Sequence, residues 1–274
     1  MKYCRFQLTD TPHYGLIESV AGRAEITRTL LSPPEQADSL EDVPTRRIEH
    51  LPLAGAHLLA PVTPTKIICV GRNYRAHAAE LGHDVPTEPL IFLKPPSSLL
   101  APGGVIVRPR VSERVDHEGE LGVVIGRRCF RPAVDFDIRT CILGYTVVND
   151  VTARDLQKKD AQWTRGKGFD TFCPVGPLVV SRDELDPWAG VSVETRVNSQ
   201  LRQSGNTRDF IFTLDVILRY IADFMTLMPG DLVATGTPEG VSPLLDGDVV
   251  EVSVDGVGVL RNPVRDQAVQ ESKN

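Results

Sequence analysis

The sequence predicts a mostly β protein of the α+β class, built from many short strands and few helices. Apolar or alternating runs of strand length recur along the chain, and 22 glycines and 21 prolines interrupt them. One amphipathic helix stands out, at about residues 213–225, with apolar side chains on a single stripe. Because strands and helices do not alternate, and because no GxGxxG motif is present, the pattern argues against a Rossmann-type fold.

The first 50 residues predict short strands joined by polar turns. Residues 2–8 alternate between apolar and polar side chains, and residues 14–20 form a second run. A turn at Ala21 and Gly22 leads into a third run.

A proline-rich segment then predicts a boundary between two parts of the chain. Prolines occur at 33, 34, 52, 61 and 64, and proline has no N–H to donate to a neighbouring strand. We place the boundary within residues 50–64. This gives a small N-terminal β extension over residues 1–60 and a larger domain over residues 61–274.

The larger domain begins with a buried-strand run at residues 66–71. A short helix should follow over residues 73–82, with Asn73 as N-cap and Gly82 at its C-terminal end. Strands are predicted at residues 90–95, 104–109, 120–126 and 142–149, with a helix from Asp150 to Lys159. Hairpins are predicted at residues 191–202, around Asn198 and Ser199, and at residues 249–260, around Asp255 and Gly256.

Composition excludes several functional classes. Lysine and arginine total 30 against 36 acidic residues, a net charge of −6, which disfavours nucleic-acid binding. The apolar runs are too short to span a membrane, and residues 1–10 lack a signal-peptide core, so we expect a cytoplasmic protein without membrane association. The five cysteines form no CxxC pair, and four of them lie in apolar or β-like runs, where a reduced cysteine is expected as a small hydrophobic side chain.

Three carboxylates suggest a divalent metal site. Glu118 and Glu120 are two residues apart, so on a strand they point to the same face, and Asp150 ends an apolar strand. Carboxylate oxygens suit a hard cation such as Mg²⁺ or Mn²⁺. The alternatives are a solvent-exposed strand start for the two glutamates and a helix N-cap for Asp150.

A histidine–glutamate pair and several cations suggest further chemistry. His77 and Glu80 are three residues apart on the short helix, where the carboxylate could orient the imidazole as a general base; the alternative is an incidental surface pair. Lys94, Arg165 and Lys167 lie in apolar or glycine-rich surroundings and could bind a substrate carboxylate. The alternative for these cations is solvated loop charge.

Taken together, five segments resemble the fumarylacetoacetate hydrolase family, in order and spacing, over about residues 64–265. They begin at Val70, Asp116, Asn149, Trp163 and Val233 and read VGRNYRAH, DHEGELG, NDVTARD, WTRGKGFDTFCPVGP and VATGTPEGV. The resemblance implies a β-roll or sandwich of the family's C-terminal type, assembled as a homodimer. One departure is Glu239, where many relatives have proline or lysine.

The resemblance also assigns roles to residues. It implies that Glu118, Glu120 and Asp150 bind Mg²⁺ (or Mn²⁺), and that His77 and Glu80, on a lid segment, activate water. It places Lys167 with these catalytic residues. The residues that it places at the substrate are Arg72, Arg154, Gln157 and Thr235.

The expected function is Mg²⁺-dependent hydrolysis of a carbon–carbon bond in an acylpyruvate-type 2-oxo acid. The family also includes oxaloacetate decarboxylases and 2-hydroxyhepta-2,4-diene-1,7-dioate isomerases of aromatic catabolism, and the same enolate can serve all three reactions. The spacing of His77 and Glu80 favours hydrolysis, which needs an activated water. A non-catalytic module that binds small carboxylates is the alternative from another class.

Overall fold

The computed structural model describes residues 1–8, 10–37, 39–80, 82 and 84–268, and it confirms the mostly β prediction. The strands are β1 (Lys2–Leu8), β2 (Thr11–Val20), β3 (Arg23–Leu30), β4 (Thr45–Pro52), β5 (Leu58–Leu59), β6 (Ile67–Gly71), β7 (Leu90–Lys94), β8 (Leu99–Leu100), β9 (Ile106–Arg108), β10 (Val115–Asp116), β11 (Gly119–Ile125), β12 (Ile142–Asn149), β13 (Thr152–Ala153), β14 (Cys173–Ser181), β15 (Ser192–Val197), β16 (Gln200–Asn206), β17 (Leu232–Ala234), β18 (Val249–Val254) and β19 (Gly258–Asp266). The α-helices are α1 (Arg75–Glu80), α2 (Arg154–Lys159), α3 (Thr164–Lys167) and α4 (Leu214–Phe224).

One large mixed sheet runs through the molecule, in the order β4-β3-β2-β1-β14-β12-β11-β17-β6-β7, with β5 on β1 and β8 on β14. The N-terminal strands join it because β1 pairs antiparallel with β14, with Lys2 opposite Val180. Residues 1–60 therefore extend the sheet of the larger domain. The division into residues 1–60 and 61–274 stays a prediction.

The central strands of this sheet are buried on both faces. On β11, Leu121 and Val123 enter one apolar core while Val124 enters the core on the opposite face. Every residue of β11 and β12 is buried. Strands covered on both sides have near-continuous apolar sequences, which is the pattern at residues 120–126 and 142–149.

A second sheet and the longest described helix cover one face. The second sheet has the order β16-β15-β18-β19-β9 and contributes Val193, Val250 and Val252 to the shared core. Helix α4 adds Ile217 and Ile221 from the predicted apolar stripe. Within the described residues, no helix combines the length and the apolar character that crossing a bilayer requires.

Four strand ends meet at one end of the large sheet, and this sets the position of the site. Strands β6 and β17 are parallel, so both finish at this end. Strand β11 is antiparallel to β17 and starts there, and β12, antiparallel to β11, finishes there. The side chains that follow β6, β12 and β17 therefore meet those at the start of β11.

Several local predictions need correction. The helix predicted over residues 73–82 covers only Arg75–Glu80, and Asn73 does not cap it: its amide bonds instead to Phe212 and Thr235. Residue 81 lies outside the described residues.

The alternative interpretation of Asp150 as a helix N-cap is wrong, because α2 begins at Arg154 with Ala153 as its N-cap. The hairpin near Asp255 has a three-residue turn, since Val254 pairs with Gly258. All five cysteines are free and buried, which confirms the hydrophobic surroundings predicted for four of them.

Candidate active site

Glu118, Glu120 and Asp150 form a buried acidic cluster. Each offers a carboxylate oxygen within 4.8 Å of the others. The three residues are at most 4% exposed. The exposed strand start proposed as an alternative for the two glutamates is therefore wrong.

The backbone around Gly119 fixes the two glutamates. The Asp150 N–H donates to the Glu118 carbonyl at 2.8 Å, and the Glu118 N–H donates to the Asn149 side chain at 3.0 Å. Gly119 lies so close to the second sheet that a Cβ at this position would approach Thr195 Oγ1 to 2.2 Å. Glycine is therefore required between the two acids.

Three buried cations neutralise the cluster. Lys167 Nζ bridges Glu118 and Asp150, at 2.7 and 2.6 Å. Arg154 donates to Glu118 Oε1 at 2.5 Å, and Lys94 Nζ donates to the second Asp150 oxygen at 2.6 Å. Buried like charges that lie this close require such partners.

The electrostatic environment shifts the pKa values of the two glutamates in opposite directions. Burial raises the pKa of Glu120, and the charges of Asp150 and Glu118 raise it further, well above its usual range. Burial also opposes ionisation of Glu118, but Lys167 and Arg154 outweigh it and lower the pKa of Glu118 well below its usual range. Burial likewise disfavours the charged form of Lys167, yet Asp150 and Glu118 raise its pKa overall.

The cluster fits a divalent metal ion. Glu120 accepts a hydrogen bond from Gly236 N–H through Oε2, at 2.8 Å. Within the part of the chain that the structure describes, no hydrogen bond is made to its other oxygen, Oε1. An unpaired oxygen beside two other carboxylates is the donor set that Mg²⁺ or Mn²⁺ prefers.

His77 and Glu80 lie on α1, above the cluster. His77 Nδ1 and Glu80 Oε2 are 3.2 Å apart, and His77 is buried. The other Glu80 oxygen accepts from Gly240 N–H at 3.0 Å. The incidental surface pair considered above is thus incorrect for His77, and Glu80 links the helix to the loop that follows β17.

These groups line one cavity of about 580 Å³, within the usual range for small-molecule sites. Phe92 and Trp163 form an aromatic wall with ring centroids 5.2 Å apart. The cavity is lined by the cluster and by Arg72, His77, Glu80, Arg114, Arg154, Gln157, Lys158, Asp160, Lys167, Thr237 and Val241, among others. Arg72 has a left-handed backbone at φ 58, a strained conformation for a residue other than glycine.

Most of the site residues predicted from sequence lie in this cavity, but Thr235 does not. Its hydroxyl donates to the Leu121 carbonyl, and Thr237 lines the cavity instead. Arg165 is exposed and pairs with Asp160, so it takes no part in the cation cluster. Lys94 contacts Asp150 but does not line the cavity. Glu239 lines a separate depression beside Tyr74.

Sequence reasoning missed two buried residues that support the site. Asp116 accepts from Arg154 Nε at 2.9 Å, and its i−2 position relative to Glu118 was an available signal. Gln203 donates to Thr237 Oγ1 at 2.7 Å, joining the second sheet to the loop after β17. No sequence signal marked Gln203, because it lies in an otherwise polar hairpin.

Comparison with known proteins identifies the family. The model described as fumarylacetoacetate (FAA) hydrolase C-terminal matches residues 66–265, and one described as Rv2993c-like, N-terminal matches residues 1–61. Oxaloacetate tautomerase YisK of Bacillus subtilis is 41% identical over 224 residues, covering 77% of this chain and 74% of the relative. The mitochondrial oxaloacetate tautomerase FAHD2B of Bos taurus is 38% identical over 264 residues, covering 91% and 84%.

Solved structures agree over nearly the whole chain. The 5-carboxymethyl-2-hydroxymuconate delta-isomerase of Mycobacterium smegmatis superposes with a TM-score of 0.86 at 40% identity, covering 97% of this chain and 100% of that one. Fumarylacetoacetate hydrolase of Exiguobacterium antarcticum gives a TM-score of 0.79 at 37% identity, with the same coverage. The chain therefore belongs to the fumarylacetoacetate hydrolase family.

Proposed function

We propose that this protein enolises 2-oxo acids, and that its reaction is the keto–enol tautomerisation of a short 2-oxo dicarboxylate of the oxaloacetate type. The observation that carries the proposal is that His77 faces the acidic cluster and its cationic partners across one cavity. A base on one side and concentrated positive charge on the other suit the removal of a proton next to a carbonyl group.

The contact between His77 and Glu80 favours one tautomer of the His77 imidazole, in which Nε2 is free to act as the base. When Nδ1 carries the proton, it donates to Glu80 Oε2, and the lone pair remains on Nε2. That nitrogen can take a proton from C3 of a bound 2-oxo acid and return it to the enol oxygen or to carbon. Glu80 stabilises the imidazolium while it holds the proton.

The buried cations suit the negative charge of the enolate. Loss of a C3 proton places one negative charge mainly on the keto oxygen, in addition to the charges of the two carboxylates. Lys167 lines the cavity next to Glu118 and Asp150, and Arg154 lies beside it. A divalent metal bound by Glu118, Glu120 and Asp150 would supply Lewis-acid polarisation of the keto oxygen.

Two cations in the cavity lining support a second carboxylate on the substrate. Arg72 and Lys158 line the cavity, and among the described residues neither side chain makes a hydrogen bond or ion pair. Unpaired cations there favour a diacid over a monoacid. Glu239 lies outside this cavity, in a neighbouring depression. Two relatives named as oxaloacetate tautomerases support the same substrate class.

Hydrolysis of an acylpyruvate, as the sequence predicted, is the second candidate. The specific observation that favours it is the cavity volume of about 580 Å³, which admits a larger acyl chain than a four-carbon acid needs. The His77–Glu80 pair would then deprotonate water rather than substrate.

Proton exchange in D₂O separates these reactions. With Mg²⁺, we expect the protein to accelerate deuterium entry at C3 of oxaloacetate without cleavage, as followed by NMR. With acetylpyruvate, formation of acetate and pyruvate would select hydrolysis. Exchange no faster than in buffer with both compounds would refute the proposed function.

A matched histidine controls for the base. His77→Gln should abolish the acceleration. His50 is an exposed histidine that also pairs with a glutamate, Glu25, at 3.2 Å. His50→Gln should leave the acceleration of proton exchange unchanged. Equal activity of the His77→Gln variant and the wild type would remove His77 from the mechanism.

A further inference from the structure

Lys94 occupies an unusual place beneath the acidic cluster. Its ammonium group donates to Asp150 Oδ1 at 2.6 Å and to the Val151 carbonyl at 3.1 Å, and its side chain has no solvent exposure. The ring of Phe172 lies 6.0 Å from the ammonium group. Unlike Lys167, Lys94 does not line the cavity, so a bound ligand cannot displace it.

This position places a fixed positive charge against an oxygen-lined cation site. Both oxygens of Asp150 already bind ammonium groups, from Lys94 and Lys167. Both oxygens of Glu118 already bind cationic side chains as well, from Arg154 and Lys167. A metal ion must therefore share nearly all of its ligand oxygens with positive charges, and low local dielectric strengthens that repulsion.

Charge counting gives the same result. In and around the cluster, the buried carboxylates are Asp116, Glu118, Glu120 and Asp150, and the buried cations are Lys94, Arg154 and Lys167. Even with all four carboxylates ionised, four negative charges against three positive ones leave little net charge to attract a dication. With the dication bound, the site has a positive surplus that an anion must offset.

We propose that Lys94 is a positioning residue that weakens the hold of the acidic cluster on a divalent cation, so that cation binding depends on an anionic co-ligand. The anion in question is the 2-oxo acid of the proposed function, on which this inference rests. The protein would then bind metal ion and substrate together, each strengthening the binding of the other by the same factor.

The test measures binding rather than turnover. Free Mn²⁺ is followed by electron paramagnetic resonance during titration of the protein, with and without oxalate, a chelating dianion. We expect oxalate to tighten Mn²⁺ binding to the wild-type protein by at least tenfold. In Lys94→Met, Mn²⁺ alone should bind at least tenfold more tightly than to wild type, and the oxalate effect should fall below threefold.

A second buried lysine provides the control. Lys66 pairs with the fully buried Asp231 near the start of β6, away from the cluster. Lys66→Met should lower the melting temperature while leaving Mn²⁺ affinity and the oxalate effect as in wild type. If Lys94→Met does not fold, Lys94→Gln retains a donor for Asp150 and should show the same changes in smaller measure.

Three results would overturn the inference. These are unchanged or weaker Mn²⁺ binding in the folded Lys94 variants, absence of an oxalate effect in wild type, and an effect of Lys66→Met equal to that of Lys94→Met. Failure of the proposed function can be distinguished from failure of this inference. If the protein binds Mn²⁺ and oxalate as expected but does not exchange the C3 proton, the proposed function fails and the role of Lys94 stands.

Discussion

Replacing Gln203 by methionine should destabilise the protein and disturb the acidic cluster. Gln203 is 1% exposed and uses its whole hydrogen-bonding capacity. Its Oε1 accepts from Gly119 N–H at 3.0 Å and from His117 Nδ1 at 3.1 Å. Its Nε2 donates to Thr237 Oγ1 at 2.7 Å and to the Pro238 carbonyl at 2.8 Å. Methionine has a similar length but cannot replace these bonds.

The magnitude follows from the groups left without partners. His117 can move its proton to Nε2 and donate to Ser242 Oγ, 2.9 Å away, so it adds little to the cost. Gly119 N–H and the Pro238 carbonyl lose their side-chain partner inside the protein. Since each unsatisfied buried group costs about 1–3 kcal/mol, these two groups together should lower the free energy of unfolding by about 2–6 kcal/mol.

Urea unfolding measures this loss, and Mn²⁺ titration shows whether the cluster moves. Gln200→Met, on the same strand but exposed, should change the free energy of unfolding by less than about 0.5 kcal/mol. Gln203→Met should also weaken Mn²⁺ binding, because Gly119 separates the two glutamates. A loss below about 1 kcal/mol, with Mn²⁺ binding unchanged, would show that Gln203 does not fix this segment.

Three further predictions concern the metal, the lid and assembly. Glu120→Gln should abolish Mg²⁺-dependent activity and the rise in melting temperature that Mn²⁺ causes. Its circular dichroism spectrum should stay that of the wild-type protein. Retained metal dependence would exclude Glu120 as a ligand. The six-residue helix α1 is too short to be stable alone, so it depends on contacts with its surroundings. Amide hydrogen exchange over residues 72–89 should therefore slow when Mg²⁺ and oxalate are added. Unchanged exchange would contradict a mobile lid. Light scattering should give about twice the chain mass of 30.1 kDa, as a homodimer requires, and a particle of the chain mass would refute it.

Local sequence patterns were enough to predict most of the strands. Alternation over residues 2–8, the turn at Ala21 and Gly22, and the apolar run of residues 142–149 each specify a strand or turn from neighbouring residues alone. The apolar stripe of α4 was equally clear, with Ile217 and Ile221 buried as predicted. Errors were concentrated at helix ends. Asn73 bonds to Phe212 and Thr235, which are more than 130 residues away, rather than to its own helix.

The candidate site was predictable in its acids but not in its cations. Glu118 and Glu120 share a face because strand side chains have a period of two, which is visible in sequence. Lys94 resembled a substrate-binding cation in sequence and is instead enclosed behind Asp150. Its role depends on a contact across 56 residues, which no local pattern encodes.

By itself, the sequence determined the mostly β class, the family, the paired glutamates and the His77–Glu80 spacing. These depend on side-chain period, turn chemistry and ordered motifs, all of which are properties of short segments. Only the tertiary structure decided that the ends of β6, β12 and β17 meet the start of β11, and that Thr237 rather than Thr235 faces the cavity. The parallel pairing of β6 with β17 joins residues about 165 positions apart. This parallel pairing is stable only when both faces of the sheet are covered, and the segments that cover them come from distant parts of the chain.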